Sequence, residues 1–160
     1  MFNKPNFSGV TEAQRLLIAH WYECRTSEGL VPRDAIDPGI VRSTLASLSI
    51  VEIDAVGEGR FRIAGSRLRD IFGMDVRGRR VAEIAGTHGE CYALGLSSAL
   101  ERGNPVGGVI EGARLHAWLR LPVADEHGDL TMVLCHDELI ASRRALETPA
   151  EKTASPRFAA

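Results

Sequence analysis

Lysine is nearly missing from this chain: Lys4 and Lys152 are the only two among 19 basic residues. Nothing in folding chemistry requires that bias. A charge surplus is missing as well, since 19 basic against 21 acidic residues leave a net charge of −2. Such a chain has no excess to draw in phosphate backbones or anionic lipid, so neither nucleic acid nor membrane is expected as a partner. Cysteine is scarce: Cys24, Cys91 and Cys135 are odd in number, widely spaced and form no CxxC pair. That excludes the usual disulfide framework of small secreted domains and favours reduced thiols. No apolar run approaches the roughly 18 residues that cross a bilayer, and Met1-Phe2-Asn3-Lys4-Pro5 lacks the apolar stretch of a signal peptide. A cytoplasmic protein is expected, in which the sequon Asn6-Phe7-Ser8 has no meaning.

What is present suits one globular domain. The 160 residues are 44% apolar and 25% charged, enough to bury roughly 70% of the unfolded surface without disulfides or metal. Thr11-Glu12-Ala13-Gln14 forms a capping-box pattern, and Ala13, Leu16, Leu17, His20, Trp21 and Cys24 follow at helical spacing. The pattern predicts a helix over residues 11–28, stopped by Gly29, behind a loose N-terminal arm. Asp37-Pro38 supplies an N-cap and a first-turn proline for a second helix reaching about Leu48. The period then becomes two. Strands are expected over 49–56 and 60–64, joined at Gly57-Glu58-Gly59. Short helices follow over 66–72, closed by Gly73, and over 81–84, with a longer one over 88–102 ended by Gly103-Asn104-Pro105. Strands over 106–112, 115–124 and 130–138 complete the order, the last two joined by the turn formers Asp125 to Asp129. Residues 147–160 lack the composition for a core and are expected to be disordered.

Hairpin-length links imply an antiparallel sheet, and the helices gathered in the middle must cover one of its faces. The expectation is an α+β fold with a five-stranded antiparallel sheet, helices on one face and an N-terminal helical extension. The expected divisions are 1–48 (arm and two helices), 49–140 (core) and 141–160 (short helical end and tail).

Several short stretches are more specific than this order. Pro32-Arg33, Ile36-Asp37-Pro38, Phe61-Arg62-Ile63-Ala64-Gly65-Ser66-Arg67-Leu68, Ile71-Phe72-Gly73-Met74-Asp75 and Gly78-Arg79 resemble the short stand-alone bacterial PAS-domain family. The resemblance covers about residues 11–140; Ile63 stands where an aromatic is usual, and Gly107-Gly108 is loose for a strand. It implies a PAS-like fold enclosing an apolar pocket, acting as a non-enzymatic sensory or signalling module that binds a small ligand or a protein partner. It implies no cofactor. With no attached output segment in the sequence, the signal is expected to pass to a signalling partner in trans.

Other constellations read as structure. Gly65, Gly73 and Gly78 match no phosphate-loop spacing and are assigned to turns where φ turns positive. His88 and Cys91 lie one helical turn apart and Cys135 and His136 are adjacent, but strand neighbours point to opposite faces, so no metal is expected. Some PAS domains hold haem through a histidine within the long helix, whereas His88 stands at its start. Flavin-reactive PAS domains carry an Asn-Cys-Arg-Phe stretch, whereas Cys91 sits in Gly-Glu-Cys-Tyr. Arg77, Arg79 and Arg80 lack interleaved aromatics and read as a solvated face. No nucleophile elbow occurs, and no catalytic residue is assigned.

The apolar faces nominate Phe72, Met74, Val81, Ile84, Tyr92, Leu96, Trp118 and Cys135 as the lining of a ligand pocket between sheet and helices. Leu16, Leu17, His20 and Trp21 form an apolar stripe that must be covered by the sheet, by the second helix or by another subunit, and a homodimer anchored on Trp21 is the expectation. The alternative, from another class, is a small cone-shaped enzyme or carrier of the ketosteroid-isomerase or cyclase type. Its cavity needs a general base, for which His116 and Asp137 are the candidates.

Overall fold

Alternation of apolar and polar residues from Leu48 onward produces the strands that hold this molecule together. The computed structural model describes residues 10–84 and 86–141. The strands are β1 (Leu48–Ile53), β2 (Gly59–Ala64), β3 (Val106–Ile110), β4 (Leu115–Val123) and β5 (Met132–Ile140). They form one antiparallel sheet in the order β2-β1-β5-β4-β3. The helices are α1 (Glu12–Cys24), α2 (Pro38–Arg42), α3 (Leu68–Phe72) and α4 (Gly86–Arg102). The arm before residue 10 and the segment after residue 141, with the expected helical end and disordered tail, lie outside the described residues. Among the described residues no helix is long and apolar enough to cross a membrane.

The sheet is covered on both faces. α3, the 3₁₀ turn Val81–Glu83 and α4 pack with Val51, Phe61, Val133 and Cys135 on one side. On the other, α1, α2 and the segment at Val31 pack with Leu48, Leu119, Leu121 and Leu134. The extension is stitched to the sheet by backbone, since Arg33 N donates to Ala124 O at 3.0 Å and Ala124 N to Val31 O at 2.8 Å. The Thr11–Gln14 capping box forms with both bonds at 3.2 Å.

Three elements end or begin away from where their periodicity suggests, each because polar side chains capture backbone groups. The second helix stops at Arg42 rather than near Leu48. Ser43 Oγ and Thr44 Oγ1 donate to Ile40 O and Val41 O, taking carbonyls that a further turn would use. β1 stops at Ile53 instead of Val56 because Asp54 Oδ1 accepts from Val56 N and Glu58 N and bends the chain. β5 is displaced two residues onward from the expected 130–138. Asp125 accepts from His127 N, Asp129 N and Thr131 Oγ1, extending the loop. Gly73 closes α3 at φ +72° as expected, but Gly65 has no positive φ. A side chain there would instead collide with the carbonyls of Leu45 and Ala46.

Candidate functional site

Asp137 is a carboxylate in the middle of an apolar strand, and the sheet gives it two partners. Its Oδ1 and Oδ2 accept from Arg120 Nη2 at 3.0 Å and Nη1 at 3.1 Å, and its Oδ1 lies 2.7 Å from His116 Nε2. All three residues are buried, Asp137 completely. Burial alone would raise the Asp137 pKa, but Arg120 and His116 outweigh it and hold the carboxyl below its ordinary value. Burial likewise opposes the charge on Arg120, and the neighbouring Asp137 more than offsets it. The guanidinium is therefore a fixed cation on the α4 side of the sheet. It stacks on Tyr92 with its carbon 3.9 Å from the ring centroid, and Nη1 also donates to Leu119 O at 2.9 Å. Tyr92 Oη meets Ser49 Oγ at 2.9 Å, so α4 is pinned through Tyr92 to both β1 and β4.

The nominated pocket residues divide into three places. Phe72, Met74, Tyr92 and Cys135 pack into the core on this side, with Phe72 and Tyr92 ring centroids 5.5 Å apart. Burial pushes the Cys135 thiol up to about 11, which leaves it protonated at neutral pH. Val81, Ile84 and Leu96 belong to the same core and also line a cleft of about 800 Å³ between α4 and the β1–β2 hairpin, together with Ile53 and Leu100. Glu58, Arg80, Glu90 and Glu101 stand around its rim. Trp118 is at neither place. It borders a smaller depression with Cys91 and Leu94, its indole held between α4 and β3. A Cβ on Gly95 would sit 3.0 Å from Trp118 Cζ3, and one on Gly108 would sit 3.1 Å from Cζ2, so a side chain at either position would press on the ring. The Gly107-Gly108 looseness thus has a reason.

The stripe on α1 is a correction. Leu17 and Trp21 are 2% and 1% exposed because they pack against the chain's own sheet, and the Trp21 indole N–H donates to Pro122 O at 2.8 Å. His20 is buried too, its Nε2 accepting from Asp37 N at 2.8 Å and so holding the start of α2. Leu16 alone of the four is exposed. A partner chain is not needed to cover the stripe, and Trp21 cannot anchor one.

The two general-base candidates of the cone-fold alternative are also placed differently. His116 and Asp137 contact each other, both Asp137 oxygens are engaged with Arg120, and neither residue lines the cleft. Cys135 and His136 do point to opposite faces. Cys135 belongs to the α4 side, while His136 Nδ1 meets Gln14 Nε2 at 3.1 Å on the α1 side, the same amide donating to Ala117 O at 3.0 Å. Burial lowers the His136 pKa to about 4. The described part of His88 is backbone alone, and among the described residues no three His, Cys, Asp or Glu side chains gather as a metal site. Sequence reasoning missed Arg120, Gly95 and the contact of Gln14 with His136; a lone charge inside the apolar stretch Leu115 to Val123 was the available signal for the first.

A family model described as a PAS domain matches residues 10–88. No curated protein matches the sequence. Among solved structures, a light-oxygen-voltage domain studied with a flavin analogue is similar at a TM-score of 0.49 and 13% identity, covering 75% of this chain and 93% of that one. An RNA-binding light-oxygen-voltage receptor is similar at 0.43 and 23% identity, covering 83% of this chain and 40% of that one. A PAS domain from Colwellia psychrerythraea is similar at 0.42 and 16% identity, over 66% of this chain and 98% of that one. With TM-scores this low, these likenesses add nothing to the sheet order and the family match.

Proposed function

The chain belongs to the PAS-domain family, and from that premise we propose that it serves as a sensory signalling module without catalysis of its own. A small apolar ligand occupies the cleft between α4 and the β1–β2 hairpin, and the occupied state is passed to a protein partner in trans. The observation that carries this reading is the cleft itself. At about 800 Å³, with Ile53, Val81, Ile84, Leu96 and Leu100 in its lining, it has the size and apolar character of a small-molecule site. The interior beside it is already filled by Tyr92, Phe72 and the Arg120–Asp137 pair, which favours the cleft over the core as the place for a ligand. The helix that walls the cleft also carries Leu94, 69% exposed. An occupant that shifts α4 therefore alters a surface that a partner can read.

Ala93 is an exposed lining residue, so Ala93→Trp fills the cleft without disturbing the core. Native mass spectrometry of protein purified from its own cells should show a bound small molecule on the parent chain and none on the variant. A parent that carries nothing, and whose melting temperature is unmoved by a library of apolar metabolites, would refute the reading.

A further inference from the structure

Resting on that reading, we infer that the ligand of this cleft is an organic cation: an apolar body carrying an ammonium or guanidinium head. The lining has two parts, an apolar floor and a charged rim. The rim carries three carboxylates, Glu58, Glu90 and Glu101, against one cation, Arg80. Arg80 is already engaged, its Nη1 lying 3.6 Å from Glu58 Oε1. Among the described residues neither Glu90 nor Glu101 has an ion-pair partner.

Helix geometry sets Glu90 and Glu101 apart in a defined way. Eleven positions separate them along α4, which is about 16 Å of rise and about three turns, so both return to the same side of the helix. Ala93, Ser97 and Leu100 lie between them on the wall of the cleft. A ligand lying along α4 thus buries its hydrocarbon on the floor and meets a carboxylate at either end. A carboxylate or phosphate ligand would face like charge at both ends, a repulsion that disfavours it. The rim favours a positive head through long-range attraction as well as contact, so the preference weakens as salt rises.

The test compares three eight-carbon probes that differ only in their heads: octylamine, octanol and octanoate. Binding to the intact chain is followed at neutral pH by nitrogen–proton correlation spectra of the α4 amides. Octylamine should bind at least about tenfold more tightly than octanoate, with octanol between them, about 1.4 kcal/mol of discrimination. The double variant Glu90→Gln and Glu101→Gln removes exposed charges and leaves the fold intact. It should bring the three probes within about twofold of each other while octanol affinity holds, as expected for removal of a purely electrostatic preference. Equal binding of all three probes to the parent, or an octylamine preference unchanged in the double variant, would overturn the cation assignment and leave the apolar-ligand reading standing. If no probe perturbs α4, that reading fails with it. A concentration-dependent dimer abolished by Ala93→Trp would show a second copy in the cleft and overturn the inference.

Discussion

Replacing Asp137 by asparagine keeps the shape of the side chain and removes its charge. The consequence can be worked out from the three contacts it makes. Asparagine offers one acceptor oxygen where the carboxylate offers two, so at least one of the Arg120 bonds at 3.0 and 3.1 Å is lost. The larger effect is electrostatic. Arg120, 1% exposed, keeps its positive charge and loses the only anion in contact with it among the described residues. Breaking one side of a buried pair destabilises by about 3–5 kcal/mol. A domain of this length shifts about 2–4 °C per kcal/mol, so the melting temperature should fall by about 6–20 °C. Arg120→Met with Asp137→Leu should recover at least about 2 kcal/mol relative to the single variant, because no uncompensated charge remains and methionine can still cover the Tyr92 ring. Urea unfolding followed by the fluorescence of Trp21 and Trp118 reads all three proteins on one scale. If Asp137→Asn loses less than about 1 kcal/mol, the range of an ordinary surface ion pair, Arg120 must reach water. The description of the pair as a buried, mutually dependent unit would then be wrong.

Two further outcomes follow from the α1 side. Trp21→Ala should cost about 3–5 kcal/mol and leave a buried Pro122 carbonyl without its donor, while the mass in light scattering stays that of the parent chain. A change of mass without loss of stability would contradict the intramolecular packing. His136, neutral in the fold with a pKa of about 4 against 6.5 when free, makes stability fall as pH drops from 6.5 to about 4 and level off below. The unfolded chain takes up that proton first, and the difference amounts to roughly 3 kcal/mol. His136→Gln should flatten that limb in urea titrations, whereas Asp137, whose pKa is lowered, contributes its acid loss only below about pH 4.

Much of the fold was legible because it rests on local chemistry. The Thr11–Gln14 box, the Asp37-Pro38 start, the αL glycine at 73 and the change to period two at β1 all depend on neighbours in sequence. The site was less legible because its contacts are long-range. Arg120 and Asp137 meet through the β4–β5 register, which places Trp118 opposite Asp137 and Arg120 opposite Cys135. That register depends on how far the Asp125 loop extends, and the loop ran two residues longer than its composition suggests. The stripe on α1 shows a different limit. Periodicity identified Leu17 and Trp21 as needing cover but is silent on what supplies it, and the free face of the sheet proved to be nearer than any second chain. Of the eight pocket residues, three line the cleft, because helical and strand spacing sort inward from outward and cannot tell core from cavity wall.

The indole of Trp118, wedged between Gly95 and Gly108, ties three distant codons to one another. While the tryptophan stands, a side chain at either glycine requires the ring to give by a few tenths of an ångström. Once a smaller residue replaces it, Gly108 loses its reason to persist, whereas a Cβ on Gly95 would still stand 3.2 Å from Arg120 Cγ. Drift at these positions is therefore not independent. A lineage that loses the ring should shed the glycine at 108 soon after, while one that keeps the ring inherits all three as a single unit.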